Sequence, residues 1–426
     1  MLHKQGMQSA RVSVFAVAAL TACGSSGGTT EATNGDAGRL IDAATGAVGA
    51  LDATSVDASS QPGDSGLEPD GGSNGGSIGG SDGGADVGVD GPSKPPPSGR
   101  VFSAYKDTSI HLNWNTNVVS TTASGAAVPL ATDLTANGSH AITLAFATGE
   151  CGSENWAGVP GDTLASTNVP LLAQAGIQYI VSTGGAAGSF TCATDSGFST
   201  FLGRWASSGL IGVDFDIEGG QSTAQIGDLV HRIGTAHGTH PALRFSLTLA
   251  TVANGGGASL AAPLGASVQD SFNTYGDQVM AAVQSTLGFS GATPTWPPYL
   301  TVDLMTMDYG APAPGVCVVA GGACQMGQSA IQAAYNLHDR WGVPYANIEL
   351  TPMIGQNDQG GEHFTLSDVD TVSAFVIQMG LAGVHYWSYD RDVDCPAGSA
   401  SSTCSSMGNG YAGDRGYLKR FVIDGL

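Results

Sequence analysis

The chain has 426 residues, of which 42% are hydrophobic and only 12% charged, and its 36 acidic against 14 basic side chains give a formal net charge of −22. That much apolar material can build a large core in one or two domains, but so acidic a surface repels nucleic acid and anionic lipid. Neutral or cationic partners remain, a polysaccharide among them.

Residues 1–22 read as a targeting segment. Lys4 and Arg11 give a positive start, Val12–Leu20 is an apolar run too short to span a bilayer, and Leu20-Thr21-Ala22-Cys23 closes it. The closing tetrapeptide is similar to a bacterial lipobox, which implies lipidation at Cys23 and a membrane anchor there. An ordinary secretory signal cut nearby leads to the same expectation of an extracytoplasmic protein, anchored at the outer membrane or cell surface, or secreted. From position 24 to 98 there are 11 acidic and 2 basic residues among abundant Gly, Ser and Ala. Such a composition buries too little apolar area to offset its ordering entropy, so residues 23–98 are expected to form a disordered linker, stiffened at its end by Lys94-Pro95-Pro96-Pro97.

From residue 99 to 426 the pattern changes to apolar runs alternating with segments of helical period. In chain order it predicts a strand over Val101–Tyr105, a polar and poorly helical stretch over 107–140, and a strand over Ala141–Ala147. A helix over Thr163–Ala175 leads to a strand over Gln178–Ser182, and a helix over Ser196–Ser208 to a strand over Gly212–Glu218. Next come a helix over Ala224–Ala236, a strand over Arg244–Ala250, a helix over Val268–Thr286 and a strand over Tyr299–Met307. The last units are Gly327–Trp341 with Asn347–Met353, then Leu366–Met379 with Gly383–Tyr389. Eight strands alternating with helices indicate an α/β protein with a parallel sheet, and eight is the number that closes a (β/α)8 TIM barrel. An open doubly wound sheet is the alternative, but no Gly-x-Gly-x-x-Gly follows a strand.

Cysteine usage agrees with an oxidising compartment. With Cys23 set aside, an even set remains: Cys151, Cys192, Cys317, Cys324, Cys395 and Cys404. Short spacing favours Cys317–Cys324 and Cys395–Cys404, which leaves Cys151 with Cys192. Zinc binding is the rival use of such residues, and no Cys-x-x-Cys or Cys/His cluster accompanies them.

The most informative stretch is Val213-Asp214-Phe215-Asp216-Ile217-Glu218. On a strand, alternate residues share a face. Val213, Phe215 and Ile217 would then pack on the outer helices, while Asp214, Asp216 and Glu218 line the barrel interior. Glu218 comes last, at the C-terminal mouth where active sites of this fold lie. A solvated edge strand shows the same alternation, yet this run sits between two helical segments, where a central parallel strand belongs. Acids about 6–7 Å apart along a strand raise one another's pKa, which suits a general acid that must hold a proton near neutral pH. Glu218 is the candidate donor, Asp216 its switchable neighbour, and Asp214 the buried partner that shares a proton with Asp216.

This stretch resembles the Asp-x-Asp-x-Glu core of family 18 glycoside hydrolases, the chitinase family. Further stretches resemble that family in order: Ser182-Thr183-Gly184-Gly185, Phe245–Leu249, Leu304–Gly310 with Asp308 and Tyr309, and Val384–Tyr389 with Trp387. Thr351–Asp358 followed by Glu362–Thr365 is similar to a bacterial chitinase subgroup. The resemblance implies hydrolysis of β-1,4-linked N-acetylglucosamine polymers with retention, by substrate assistance rather than a carboxylate nucleophile. It implies that Glu218 protonates the glycosidic oxygen, that the substrate's acetamido oxygen attacks, and that Asp216 holds the acetamido N–H. No metal and no cofactor is needed. Trp387 becomes the platform under the reacting sugar, and Gly184, Asp308 and Tyr309 join it as substrate-binding residues.

The sequence departs from the family at two places. Ile211 stands where an outer Asp often begins the motif. Met307 stands where many members carry a tyrosine, so that Tyr309 is expected to supply the hydroxyl from a shifted position. Two other functions compete: an endo-β-N-acetylglucosaminidase acting on N-glycans, and a non-catalytic chitin-binding barrel. By position, Tyr105, Phe146 and Trp156 are candidates for the substrate groove. His231, His237 and His240 do not share one helix face and read as surface histidines, and Asp390, Arg391, Asp392 and Asp394 read as a solvated rim. The protein is expected to act as a monomer.

Overall fold

The computed structural model describes residues 99–122, 126–255, 270–289 and 295–426. The targeting segment, Cys23 and the linker lie outside the described residues. Eight parallel strands close into a barrel: β1 (Val101–Asp107), β2 (Ala141–Ala147), β3 (Gln178–Gly184), β4 (Leu210–Ile217), β5 (Arg244–Ala250), β6 (Leu300–Met305), β7 (Ile348–Thr351) and β8 (Gly383–Tyr386). Each pairs with its neighbours in sequence, and β8 returns to β1 with Val101 opposite Gly383. The expected TIM barrel is therefore present, and the open doubly wound alternative is excluded.

Eight α-helices accompany the strands among the described residues: α1 (Leu130–Ala136), α2 (Gly161–Gln174), α3 (Asp195–Trp205), α4 (Thr223–Thr239), α5 (Thr274–Thr286), α6 (Met326–Trp341), α7 (Leu366–Met379) and α8 (Gly416–Ile423). Their limits follow local chemistry. Ser222 and Gln225 form a capping box at the start of α4, and Thr365 with Asp368 forms another on α7. Gly342 and Gly380 end α6 and α7 in the left-handed conformation that a Cβ disfavours. The predicted helix from Val268 instead begins at Thr274, because the Asn273 side chain accepts the Gly276 N–H and caps it there; positions 268 and 269 lie outside the described residues.

The weak stretch after β1 resolves into two short paired strands, Ser120–Thr121 and Val128–Pro129, followed by the seven-residue α1. The final helix α8 was not predicted. It holds by burying Tyr417, Leu418 and Phe421, with Phe421 stacked on Tyr386 of β8.

Alternation along β4 decides what the barrel holds. Val213, Phe215 and Ile217 are buried outward, with Phe215 against Phe190 and Phe198. Asp214 pairs in register with Ser182 on one side and Ser246 on the other, and Asp216 with Gly184 and Thr248.

All three predicted disulfides are present. Cys151–Cys192 joins the loops after β2 and β3, Cys317–Cys324 lies between β6 and α6, and Cys395–Cys404 lies between β8 and α8. The zinc alternative for these cysteines falls with them. Among the described residues, no helix is long and apolar enough to cross a membrane.

The loop after β8 corrects an expectation. Asp390, Arg391 and Asp392 are buried, not a solvated rim. Asp390 accepts from Lys106 at 2.6 Å, both side chains being fully enclosed. Asp392 accepts the backbone N–H groups of Tyr417 and Leu418, and Arg391 donates to the carbonyl oxygens of Ile354, Gln356 and Ser401. Sequence pattern alone does not distinguish charged residues that tie loops together from charged residues that face water.

Candidate active site

The polar interior of the barrel is organised around Asp214. Its Oδ2 accepts from the Tyr105 hydroxyl at 3.0 Å and from Ser182 Oγ at 2.6 Å; its Oδ1 accepts from Ser246 Oγ and Thr248 Oγ1, each at 2.7 Å. Four hydroxyl donors suit a carboxylate, which only accepts. Both oxygens are thus engaged without a proton shared with Asp216.

Asp216 lies one step nearer the mouth and is also buried. Its Oδ1 has no hydrogen-bond partner. Burial, then the charges of Glu218, Asp214 and Asp303, push its carboxyl well above the ordinary range. Two glycines set its position. Gly184 has φ of +89°, and a Cβ there would collide with the Asp216 carbonyl oxygen; the Gly185 N–H donates to that same oxygen at 3.1 Å. A Cβ on Gly185 would press on the Phe146 ring at 2.9 Å. Gly184 therefore serves the backbone geometry beneath the site and is buried, a correction to its expected role in touching substrate.

Glu218 stands just past the end of β4, open to solvent at the mouth. Desolvation by the surrounding walls and the nearby charge of Asp308 raise its carboxyl. Asp308 follows β6 in a left-handed conformation, with φ of +50°. Its Oδ1 accepts the Gln359 N–H at 3.0 Å, and its own N–H donates to Asn357 Oδ1 at 3.3 Å. Burial raises the Asp308 carboxyl as well.

Glu362 holds the next turn of chain. It accepts the N–H of Tyr309 at 3.1 Å and of Gly310 at 3.0 Å, and burial pushes its carboxyl up to about 7. The Tyr309 ring is part of the core, with its hydroxyl shielded and without a partner. That enclosed hydroxyl does not stand at the surface as the shifted-tyrosine expectation requires.

Phe146 and Trp387 form the apolar floor. Both are half-buried, and their rings stack at 5.6 Å with 19° between planes. Tyr105 lies against both, at 6.3 and 6.2 Å, but it is 3% exposed and points its hydroxyl at Asp214. The expectation that Tyr105 lines the groove is corrected to a place inside the barrel. Trp156 is core, packed on Trp205 at 4.9 Å.

Deeper in the barrel is a second layer that motif reading missed. Asp303 accepts from Thr351 at 2.5 Å, and its Oδ2 lies 3.2 Å from the Tyr105 hydroxyl oxygen, which places it beside the Asp214 network. Below it Arg244 pairs with Glu349, and His385 Nε2 lies 3.6 Å from Glu349. Ligand atoms of Asp303, Glu349 and His385 approach within 4.8 Å of one another, a spacing open to a metal. Arg244, however, already supplies the positive charge that those carboxylates need, and His385 Nδ1 is engaged by Ser103 at 2.7 Å. Burial lowers the pKa of His385, which favours the neutral ring. The available signal was the polar–apolar alternation of β5 and β6, in Ser246, Thr248, Thr301 and Asp303.

No protein-family model matches the chain, and no curated protein sequence matches it. Solved structures do. The catalytic domain of a hyperthermophilic chitinase from Pyrococcus furiosus is 22% identical, with a TM-score of 0.55 over 78% of this chain and 97% of that one. Catalytic-site mutants of active domain 2 of chitinase from the same organism give 22% identity and a TM-score of 0.56 over the same shares. A set of such mutants complexed with chito-oligosaccharides gives 21% and 0.54, over 77% of this chain and 97% of that one. These likenesses establish the fold: the chain is a (β/α)8 barrel built as those chitinase domains are.

Proposed function

We propose that the barrel hydrolyses β-1,4-linked N-acetylglucosamine polymers, chitin or its oligosaccharides, with retention and by substrate assistance. The observation that carries this reading is the column Asp214, Asp216, Glu218. It runs from an enclosed carboxyl group held by four hydroxyls to a carboxyl at the mouth whose hold on a proton is strengthened by desolvation and by Asp308, beside an aromatic floor. The fold shared with the Pyrococcus furiosus chitinase domains supports the substrate class.

In the proposed mechanism the reacting sugar rests on Trp387 and Phe146. Glu218, whose raised pKa keeps a proton available, gives it to the glycosidic oxygen as the bond from C1 breaks. The acetamido carbonyl oxygen of the same sugar bonds to C1 from the opposite face and forms an oxazolinium ring. Asp216, ionised and with its carboxyl turned toward the mouth at this step, receives the acetamido N–H and balances the positive charge. Glu218, now a carboxylate, takes a proton from water as the water oxygen adds to C1 and the ring opens. Two displacements at C1 return the β-configuration, and the proton on Glu218 is restored. No nucleophilic carboxylate is required, in line with the buried and hydroxyl-bound state of Asp214.

We further propose that residues 1–22 direct the chain out of the cytoplasm, and that Cys23 anchors it through the 23–98 linker to residues 99–426. The three disulfides support an oxidising compartment. The deciding experiment follows a hexamer of N-acetylglucosamine by NMR during the first turnovers, with β-anomeric product expected ahead of mutarotation. α-Product first, or an intact hexamer, would overturn the reading.

A further inference from the structure

At the N-terminal face of the barrel, opposite Glu218, lies a cavity of about 980 Å3. Its walls are largely apolar, with Phe102, Ile211, Leu243, Leu381 and Leu418 among them. Set into those walls are Arg100, Arg244 and His237, and among the described residues no acidic side chain lines the cavity. In a chain with 36 acidic and 14 basic residues the side chains of this lining stand out as basic.

The same three residues carry unmet hydrogen-bonding capacity. Arg100 Nε, Arg244 Nε and His237 Nδ1 are each shielded from solvent without a partner. A buried polar group left unpaired is costly, and three such nitrogens stand around one cavity. Arg244 engages Glu349 with another nitrogen, which leaves its Nε facing the cavity region without a partner. His237 is fixed by stacking on Tyr299 at 3.9 Å, so its ring is held in the wall.

We propose that this cavity binds an organic anion with an apolar body, its acidic head met by Arg100, Arg244 and His237. Guanidinium groups pair with carboxylate, sulfonate or phosphate oxygens by charge-assisted hydrogen bonds. The volume matches a small molecule rather than an inorganic ion. A neutral sugar brings no charge to meet Arg100, so this site is distinct from the substrate groove in chemistry as well as in place.

The test uses the full chain and two fluorescent probes with nearly the same body, anilinonaphthalene sulfonate and the uncharged phenylnaphthylamine. The sulfonate is expected to bind saturably at one site, roughly tenfold more tightly than the uncharged probe, and an added chitooligosaccharide should not displace it. Arg100→Gln should weaken the sulfonate about tenfold. Val422→Trp should block both probes, because Val422 borders the cavity from an exposed position on α8. Circular dichroism establishes that each variant is folded, and neither residue belongs to the catalytic machinery. Equal affinity for the two probes, displacement by the oligosaccharide, or binding unchanged in both folded variants would overturn the proposal. The readout is binding, so it stands or falls separately from the hydrolytic function.

Discussion

At the C-terminal mouth the strands deliver Asp216, Glu218 and Asp308 beside half-buried rings; at the N-terminal face the same strands begin among Val101, Ala141, Ile211 and Arg244. The connections differ as sharply. From α2 to β3 the chain needs only residues 175–177, and from α7 to β8 only 380–382, whereas β6 to α6 takes 306–325 and β8 to α8 takes 387–415. Every disulfide lies in the long connections. One end of the barrel is joined by short connections. The other carries long segments that need cross-links to hold their shape, the usual division between scaffold and site in this fold.

Three experiments test that contrast. The largest effect belongs to Glu218→Gln, which keeps size and hydrogen bonding but holds no transferable proton. It should lower kcat on chitooligosaccharides by about 100- to 10,000-fold, with thermal unfolding and oligosaccharide binding close to the parent. Undiminished turnover removes Glu218 as the acid and leaves the mouth without its defining residue.

Next in size is the double replacement Cys151→Ser with Cys192→Ser, which opens a 41-residue separation. It should cost about 4 kcal/mol in denaturant unfolding through loop-closure entropy, and it should raise KM, because the loops it frees follow β2 and β3. A variant as stable as the parent would mean that packing alone fixes the rim.

The smallest effect is electrostatic. Asp308→Asn removes a negative charge that raises the Glu218 carboxyl. Glu218 then loses its proton at a lower pH, so the alkaline limb of the kcat/KM profile should move toward acid. A limb moving the other way, or not at all, separates Asp308 from Glu218.

The sequence made the mouth more legible than the interior. Hydrophobic period placed the strands, with β2, β5 and α7 matching their predicted limits, because alternate burial on a barrel leaves a period-two trace. Asp214, Asp216 and Glu218 were readable for the same reason. The polar floor was not: Thr248, Asp303 and Glu349 meet only after strands distant in sequence close around one axis. Tyr105 looked like a groove residue because its place at a strand end says nothing of the hydroxyl's direction. The enclosed pair Lys106–Asp390 was hidden for a related reason. Its partners lie 284 positions apart, and neither position carries a local signal.

The four-hydroxyl cradle of Asp214 has one more effect. Its donors come from β1, β3 and β5, so the cradle exists only once the sheet has curled far enough for the Tyr105 hydroxyl to reach across it. A nascent or half-folded chain has the acids but no assembled cage for the innermost of them. The proposed hydrolysis therefore depends on tertiary closure, because a chain whose first and last strands have not met has no cradle for Asp214.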